Sequence, residues 1–221
     1  MLNLFFPKSC QGCGGKLLDT EVVICTVCRN QLPLACFHRT NSLVMKQFFF
    51  GRLPIENATA LLQFQKRNIT QHLLHQLKYR RQEQIGDFLG VWLGTELSKK
   101  EEYKNVDMVI PVPLHKKKER QRGYNQLTKF GEAIAAHLKI PYRADVLLKE
   151  NTTQSQVFKG RLGRFGNTSV FTLVQPEAIK GKHLLLVDDL VTTGATLEKC
   201  GNELIVSNDV KLSLATMAIA L

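Results

Sequence analysis

The chain has 221 residues, enough for one α/β core of about 150 residues and a small accessory module. Hydrophobic residues make up 44% of it, which excludes a disordered polyelectrolyte, and no apolar run approaches the roughly 20 residues that a membrane-spanning helix needs. Thirty basic against nineteen acidic residues give a net charge of +11, which favours anionic partners such as nucleotides, pyrophosphate or nucleic acid without choosing among them.

Residues 1–6 are apolar but lack a basic leader and are broken by Pro7 and Lys8, so a cytoplasmic chain without a secretory leader is expected. Five of the six cysteines fall before residue 37. Cys10 with Cys13 and Cys25 with Cys28 form two Cys-x-x-Cys pairs separated by eleven residues, the pattern of two knuckles closing a tetrahedral Zn2+ site. In a reducing compartment a disulfide module or redox pair is the weaker explanation. Four thiolates leave no open position, so the zinc is expected to be structural, replacing a core that so small a module cannot build. Cys36 is left over, as a fifth, replaceable ligand or a buried thiol, and Cys200 reads as a packed residue.

Residues 37–56 show no clear period and read as a linker. Residues 58–65 suit a strand, and Ile69, Leu73 and Leu77, then Ile85, Phe88, Leu89, Trp92 and Leu97, lie at helical spacing. Lys78, Arg80 and Arg81 end the first of these helices, where cations either favour its negative end or contact a ligand. Residues 106–112 predict a second buried strand running into Pro111, Val112, Pro113 and Leu114, a stiff turn that is a candidate pyrophosphate loop. Lys116, Lys117, Lys118, Arg120 and Arg122 follow with one acid, either a solvated face or a basic rim to the site. A helix is expected through Leu127, Phe130, Ile134 and Leu138, then short strands at 145–148 and 168–174 with a polar flap or surface loop between them. A last strand is expected at 212–220.

The run 183–196 carries the chemistry. Leu184, Leu185, Leu186 and Val187 read as a central parallel strand, with Asp188 and Asp189 at its carboxyl end, where open α/β sheets bind ligands. Val191, Thr192, Thr193, Gly194, Ala195 and Thr196 then open a helix. Its first N–H groups carry roughly half a positive charge, so a turn of Thr and Gly there can hold a phosphate. Adjacent carboxylates repel that phosphate but accept hydrogen bonds from vicinal hydroxyls or hold a divalent cation, so the ligand implied is a sugar phosphate.

These fourteen residues resemble the 5-phosphoribosyl-1-pyrophosphate (PRPP) signature of type I phosphoribosyltransferases. The wider order resembles the ComF family: both Cys-x-x-Cys pairs, Leu77-Lys78-Tyr79, Pro111-Val112-Pro113, Arg122-Gly123-Tyr124-Asn125-Gln126, Ser155-Gln156, Arg164 with Asn167, and the paired acids. Residues 158–163 depart from its pattern. The resemblance implies an α/β fold, a type I phosphoribosyltransferase-like parallel sheet with flanking helices plus a small N-terminal zinc-ribbon-like module. The expected division is a four-cysteine zinc-finger module at 1–36, a linker at 37–56 and a phosphoribosyltransferase-like domain at 57–221.

It further implies PRPP bound with Mg2+ and transfer of its phosphoribosyl group to an unknown acceptor, with a link to DNA uptake. Asp188 and Asp189 would hold the ribose hydroxyls, and residues 191–196 the 5-phosphate. Pro111, Val112, Pro113 and Leu114, helped by Lys118, Arg120 or Arg122, would hold the pyrophosphate. The alternative is a non-catalytic competence factor that senses a nucleotide and binds single-stranded DNA along its basic segments, with the zinc module open to a protein partner.

Overall fold

The computed structural model describes residues 8–40, 43–150, 170–206 and 209–221. Four parallel strands form the central sheet in the order β1-β6-β5-β2: β1 (Asn57–Gln63), β2 (Met108–Pro111), β5 (His183–Val191) and β6 (Lys211–Ile219). A separate antiparallel pair, β3 (Leu147–Glu150) with β4 (Val170–Leu173), stands apart from it. Leu184, Leu185, Leu186 and Val187 are fully buried, as a strand covered on both faces requires.

The helices are α1 (Thr26–Asn30), α2 (Phe37–Thr40), α3 (Leu43–Gln47), α4 (Ile69–Tyr79), α5 (Gln84–Leu97), α6 (Lys116–Arg122), α7 (Thr128–Leu138), α8 (Pro176–Ile179) and α9 (Ala195–Ile205). Asn68 caps α4 by accepting the Gln71 N–H at 3.0 Å, and Leu73 and Leu77 turn its apolar stripe inward. On α5, Ile85, Leu89, Leu93 and Leu97 recur every four residues and are all buried, and this stripe packs along α7. Among the described residues no helix is long and apolar enough to cross a membrane.

Residues 37–56, aperiodic in sequence, form α2, α3 and a turn whose Met45 and Phe49 are fully buried. Two helices of four and five residues are too short to display a period, so burial alone reveals them. Cys36 lies beside His38 and Glu96, away from the other amino-terminal cysteines. Glu96 there accepts from His38, from Trp92 Nε1 at 2.7 Å and from both sides of the Arg39 guanidinium, tying α2 to α5, while His38 Nδ1 meets Thr59 Oγ1 of β1 at 2.8 Å. The strand expected at 145–148 lies at β3, and β4 falls within 168–174. The expected flap, including Ser155, Gln156, Arg164 and Asn167, lies outside the described residues.

Candidate functional site

The four amino-terminal cysteines converge. The Sγ atoms of Cys10, Cys13, Cys25 and Cys28 all lie within 4.8 Å of one another, with 3.9 Å between those of Cys13 and Cys25. A tetrahedron with metal–sulfur bonds of about 2.3 Å has edges of about 3.8 Å, so this donor set fits Zn2+. Cys10 Sγ accepts from the N–H groups of Gly12 and Cys25 at 3.3 and 3.2 Å, and Cys25 Sγ from Cys28 N–H at 3.4 Å. Burial raises the Cys10 thiol, but the N–H groups of Cys25, Cys13 and Gly12 outweigh it and bring it down to about 6. A Cβ on Gly12 would sit 2.8 Å from Cys28 Sγ, so the knuckle closes only around glycine. On the same module the Arg29 guanidinium lies 4.9 Å from the centre of the Trp92 ring and 5.9 Å from that of Phe88, docking the cluster on α5.

The second site gathers around Asp189. The two acids lie inside β5, because Leu190 and Val191 continue the pairing to Ala218 and Ile219 of β6. The neighbouring strand β2 stops earlier, at Pro111 opposite Val187. Consecutive strand residues face opposite sides of a sheet, and the acids part accordingly. Asp189 accepts from Lys78 Nζ of α4 and from Gln126 Nε2 ahead of α7, each at 2.6 Å. Asp188 lies in the field of Lys78, of Lys149 on β3 and of Cys200 on α9, and accepts the Asp189 N–H at 2.8 Å. Burial, then the neighbouring Asp189 charge, pushes Asp188 up to about 7.

Lys78, Tyr79, Arg81, Lys118, Gln121 and Arg122 line a cavity of about 230 Å3 on the Asp189 side. Four of these six side chains are cations and none is an acid. Arg122 reaches Gln126 Oε1 at 2.6 Å, and its guanidinium lies 5.4 Å from the centre of the Tyr79 ring, so cavity, Gln126 and Asp189 form one network. Tyr124 O–H donates to the Leu77 carbonyl, holding the end of α4 in place. Of the expected pyrophosphate residues, Lys118 and Arg122 line the cavity and Arg120 does not. Pro111, Val112, Pro113 and Leu114 connect β2 to α6, with Val112 N–H bound to the Val187 carbonyl at 2.9 Å.

The bend after β5 has the expected form. Thr192, Thr193, Ala195 and Thr196 are exposed, while Val191 and Gly194 are buried. Gly194 adopts φ +75°, and a Cβ there would lie 2.8 Å from the Phe49 ring. Arg52 braces the bend by donating to the Thr193 carbonyl at 3.1 Å and pairing with Glu198 in the first turn of α9. Sequence reasoning left Lys78 and Arg81 open between a helix-end charge and a ligand contact, and missed Gln126 and Arg52 as site residues. Lys78 and Gln126 stand in the family motifs, whereas Arg52 contacts a residue 141 positions away and carries no local signal.

The resemblance to phosphoribosyltransferases implies Mg2+ at this second site, and its donor set does not fit one. The Lys78 ammonium stands 2.6 Å from Asp189 Oδ1, Gln126 donates to Oδ2, and the described residues that line the cavity include four cations and no carboxylate.

No family model matches the chain. The DNA utilization protein YhgH of Escherichia coli O157:H7 is 30% identical over 129 residues, 57% of this chain and 56% of that protein, so the chain spans about half the length of such relatives. Competence protein ComFC of Bacillus subtilis is 25% identical over 86% of this chain and 75% of its own length. Competence protein F of Haemophilus influenzae is 26% identical over 90% of this chain and 91% of its own. Among solved structures, the purine phosphoribosyltransferase of Pyrococcus horikoshii aligns with a TM-score of 0.40 at 21% identity, covering 60% of this chain and 72% of that one. The chain is a homologue of the ComF-type competence and DNA-utilization proteins, and its described residues build a parallel sheet with flanking helices.

Proposed function

We propose that the protein binds PRPP and transfers its phosphoribosyl group to a nitrogenous acceptor. In this reading the 5-phosphate sits on Thr192, Thr193, Gly194, Ala195 and Thr196, the ribose hydroxyls on Asp189, and the diphosphate among Lys78, Arg81, Lys118 and Arg122. The observation that carries it is the position of Asp189, three residues before the helix-opening bend and joined through Lys78 to a cavity of four cations. In the reaction the bond from ribose C1 to the diphosphate oxygen breaks, and that oxygen keeps the electron pair. The acceptor nitrogen forms the new bond to C1 and gives its proton to water. Guanidinium and ammonium donors already in place stabilise the charge that grows on the leaving diphosphate.

Calorimetric titration with PRPP tests the reading. Asp189→Asn is expected to weaken binding by about tenfold or more, the scale of losing a charged hydrogen-bond acceptor. Affinity unchanged in that variant, or no binding to the parent protein, refutes it. Pyrophosphate release on adding candidate bases separates transfer from binding alone.

A role in DNA uptake, zinc held in the four-cysteine cluster, and a reducing cytoplasmic setting that keeps its thiols free belong to the same proposal, supported by the competence relatives and the four converging cysteines. One observation favours a second reading, single-stranded nucleic acid. Lys118 and Arg122 of α6 line the cavity together with Tyr79, which is 63% exposed and able to stack a base, and Lys116, Lys117 and Arg120 extend the basic run on the same helix. Steep salt dependence of oligonucleotide binding, lost when Lys116 and Lys117 are neutralised, would support it, and salt-independent binding would sink it.

A further inference from the structure

We propose that the cationic cavity takes its diphosphate as a metal-free anion, with the Lys78 ammonium in the bridging position that a divalent cation would otherwise fill. The inference rests on the phosphoribosyl reading above. A divalent cation in such a site has two tasks: to neutralise the diphosphate and to tie it to the sugar held by the acid. Both are covered here by the chain itself.

Neutralisation comes from Lys78, Arg81, Lys118 and Arg122, four positive charges around about 230 Å3. A diphosphate group carries about three negative charges near neutral pH, taking each phosphate's last ionisation near pH 6. An added divalent cation would face that lining with no carboxylate to receive it. The tie comes from Lys78 alone. Its ammonium has three N–H donors, one of which goes to Asp189 Oδ1 at 2.6 Å, and the same side chain lines the cavity, so two donors are left for phosphate oxygens. Gln126 occupies the other Asp189 oxygen and is itself held by Arg122, which fixes the carboxylate between two donors. Of the roughly four acceptor positions of that carboxylate, two are taken by Lys78 and Gln126 and the other two go to the ribose hydroxyls in the phosphoribosyl reading, which leaves none for an aquated Mg2+. Asp188, the remaining acid of the pair, is 9% exposed and is not among the residues that line the cavity.

The test is calorimetric titration of the intact protein with PRPP, and separately with inorganic pyrophosphate, in excess EDTA and in millimolar Mg2+. Equal affinity in the two conditions, or tighter binding in EDTA, is the expected result. Binding that appears only with Mg2+ overturns the inference and leaves the phosphoribosyl reading intact, whereas no binding in either condition overturns both. A Lys78→Met variant, which keeps the apolar stem and loses the charge, is expected to bind about tenfold or more weakly in EDTA. Its affinity should rise with Mg2+, since the bridging position is then open. A variant as indifferent to Mg2+ as the parent protein overturns the assignment to Lys78.

Discussion

Asp188 shows how far one side chain departs from its twin. It shares a dipeptide with Asp189, yet strand alternation turns it toward α9, where burial and the neighbouring charge raise it to about 7. A carboxyl raised in the folded state above its ordinary 3.8 keeps its proton where the unfolded chain has lost it. Its contribution therefore favours folding at low pH, and stability drains away as pH rises from about 4 to about 7. Asp188→Asn keeps the oxygen that accepts the Asp189 N–H and removes the charge. The variant is expected to melt at a higher temperature than the parent protein at pH 8 and at the same temperature at pH 4. Thermal unfolding at the two pH values checks this, and an equal difference at both would refute it. The dipeptide was legible in the sequence, and so was the Thr-Gly bend that follows β5. The partners of Asp189 were legible only as motif letters, because Lys78 and Gln126 lie 111 and 63 positions away.

At the level of elements, the four-cysteine module and α5 work as a pair. Arg29 on α1 stacks over Trp92, the only tryptophan in the chain, and a Cβ on Gly12 would meet both Cys28 and Ile69 at the start of α4. Metal loss frees the knuckles that hold α1, so removing zinc is expected to move Arg29 off the ring and change Trp92 fluorescence. Native mass spectrometry should find one Zn2+ per chain, absent from Cys10→Ser and Cys28→Ser. A chelator that strips zinc without altering Trp92 emission would contradict the coupling. The cysteine spacing announced this cluster directly, since ligand identity and count are local properties. Its seat on α5 was hidden, because a cation–π contact between residues 29 and 92 leaves no pattern in either segment. Helices α4, α5 and α7 stood out by their apolar period, and α2 and α3 did not.

Across the whole molecule, the amino-terminal segment also closes the sheet. Strand β1 lies at its edge, and residues 33–36 cover that edge: Gln63 N–H donates to the Pro33 carbonyl at 2.7 Å and Ala35 N–H to that of Leu61 at 2.9 Å. Deleting residues 1–36 is expected to expose unpaired backbone along β1 and drive association. Size-exclusion chromatography should show aggregates where the full chain elutes as one species, and a monodisperse truncated protein would count against this role. The sequence by itself determined the parallel α/β class, the four-cysteine cluster and the bend after β5, because each rests on neighbours a few residues apart. The tertiary structure alone decided which acid meets the cations, that Lys78 bridges Asp189 and the cavity, and that Phe49 and Arg52 brace the bend. Those outcomes depend on which side of a strand each residue faces and on segments brought together from opposite ends of the chain, and no local pattern encodes either.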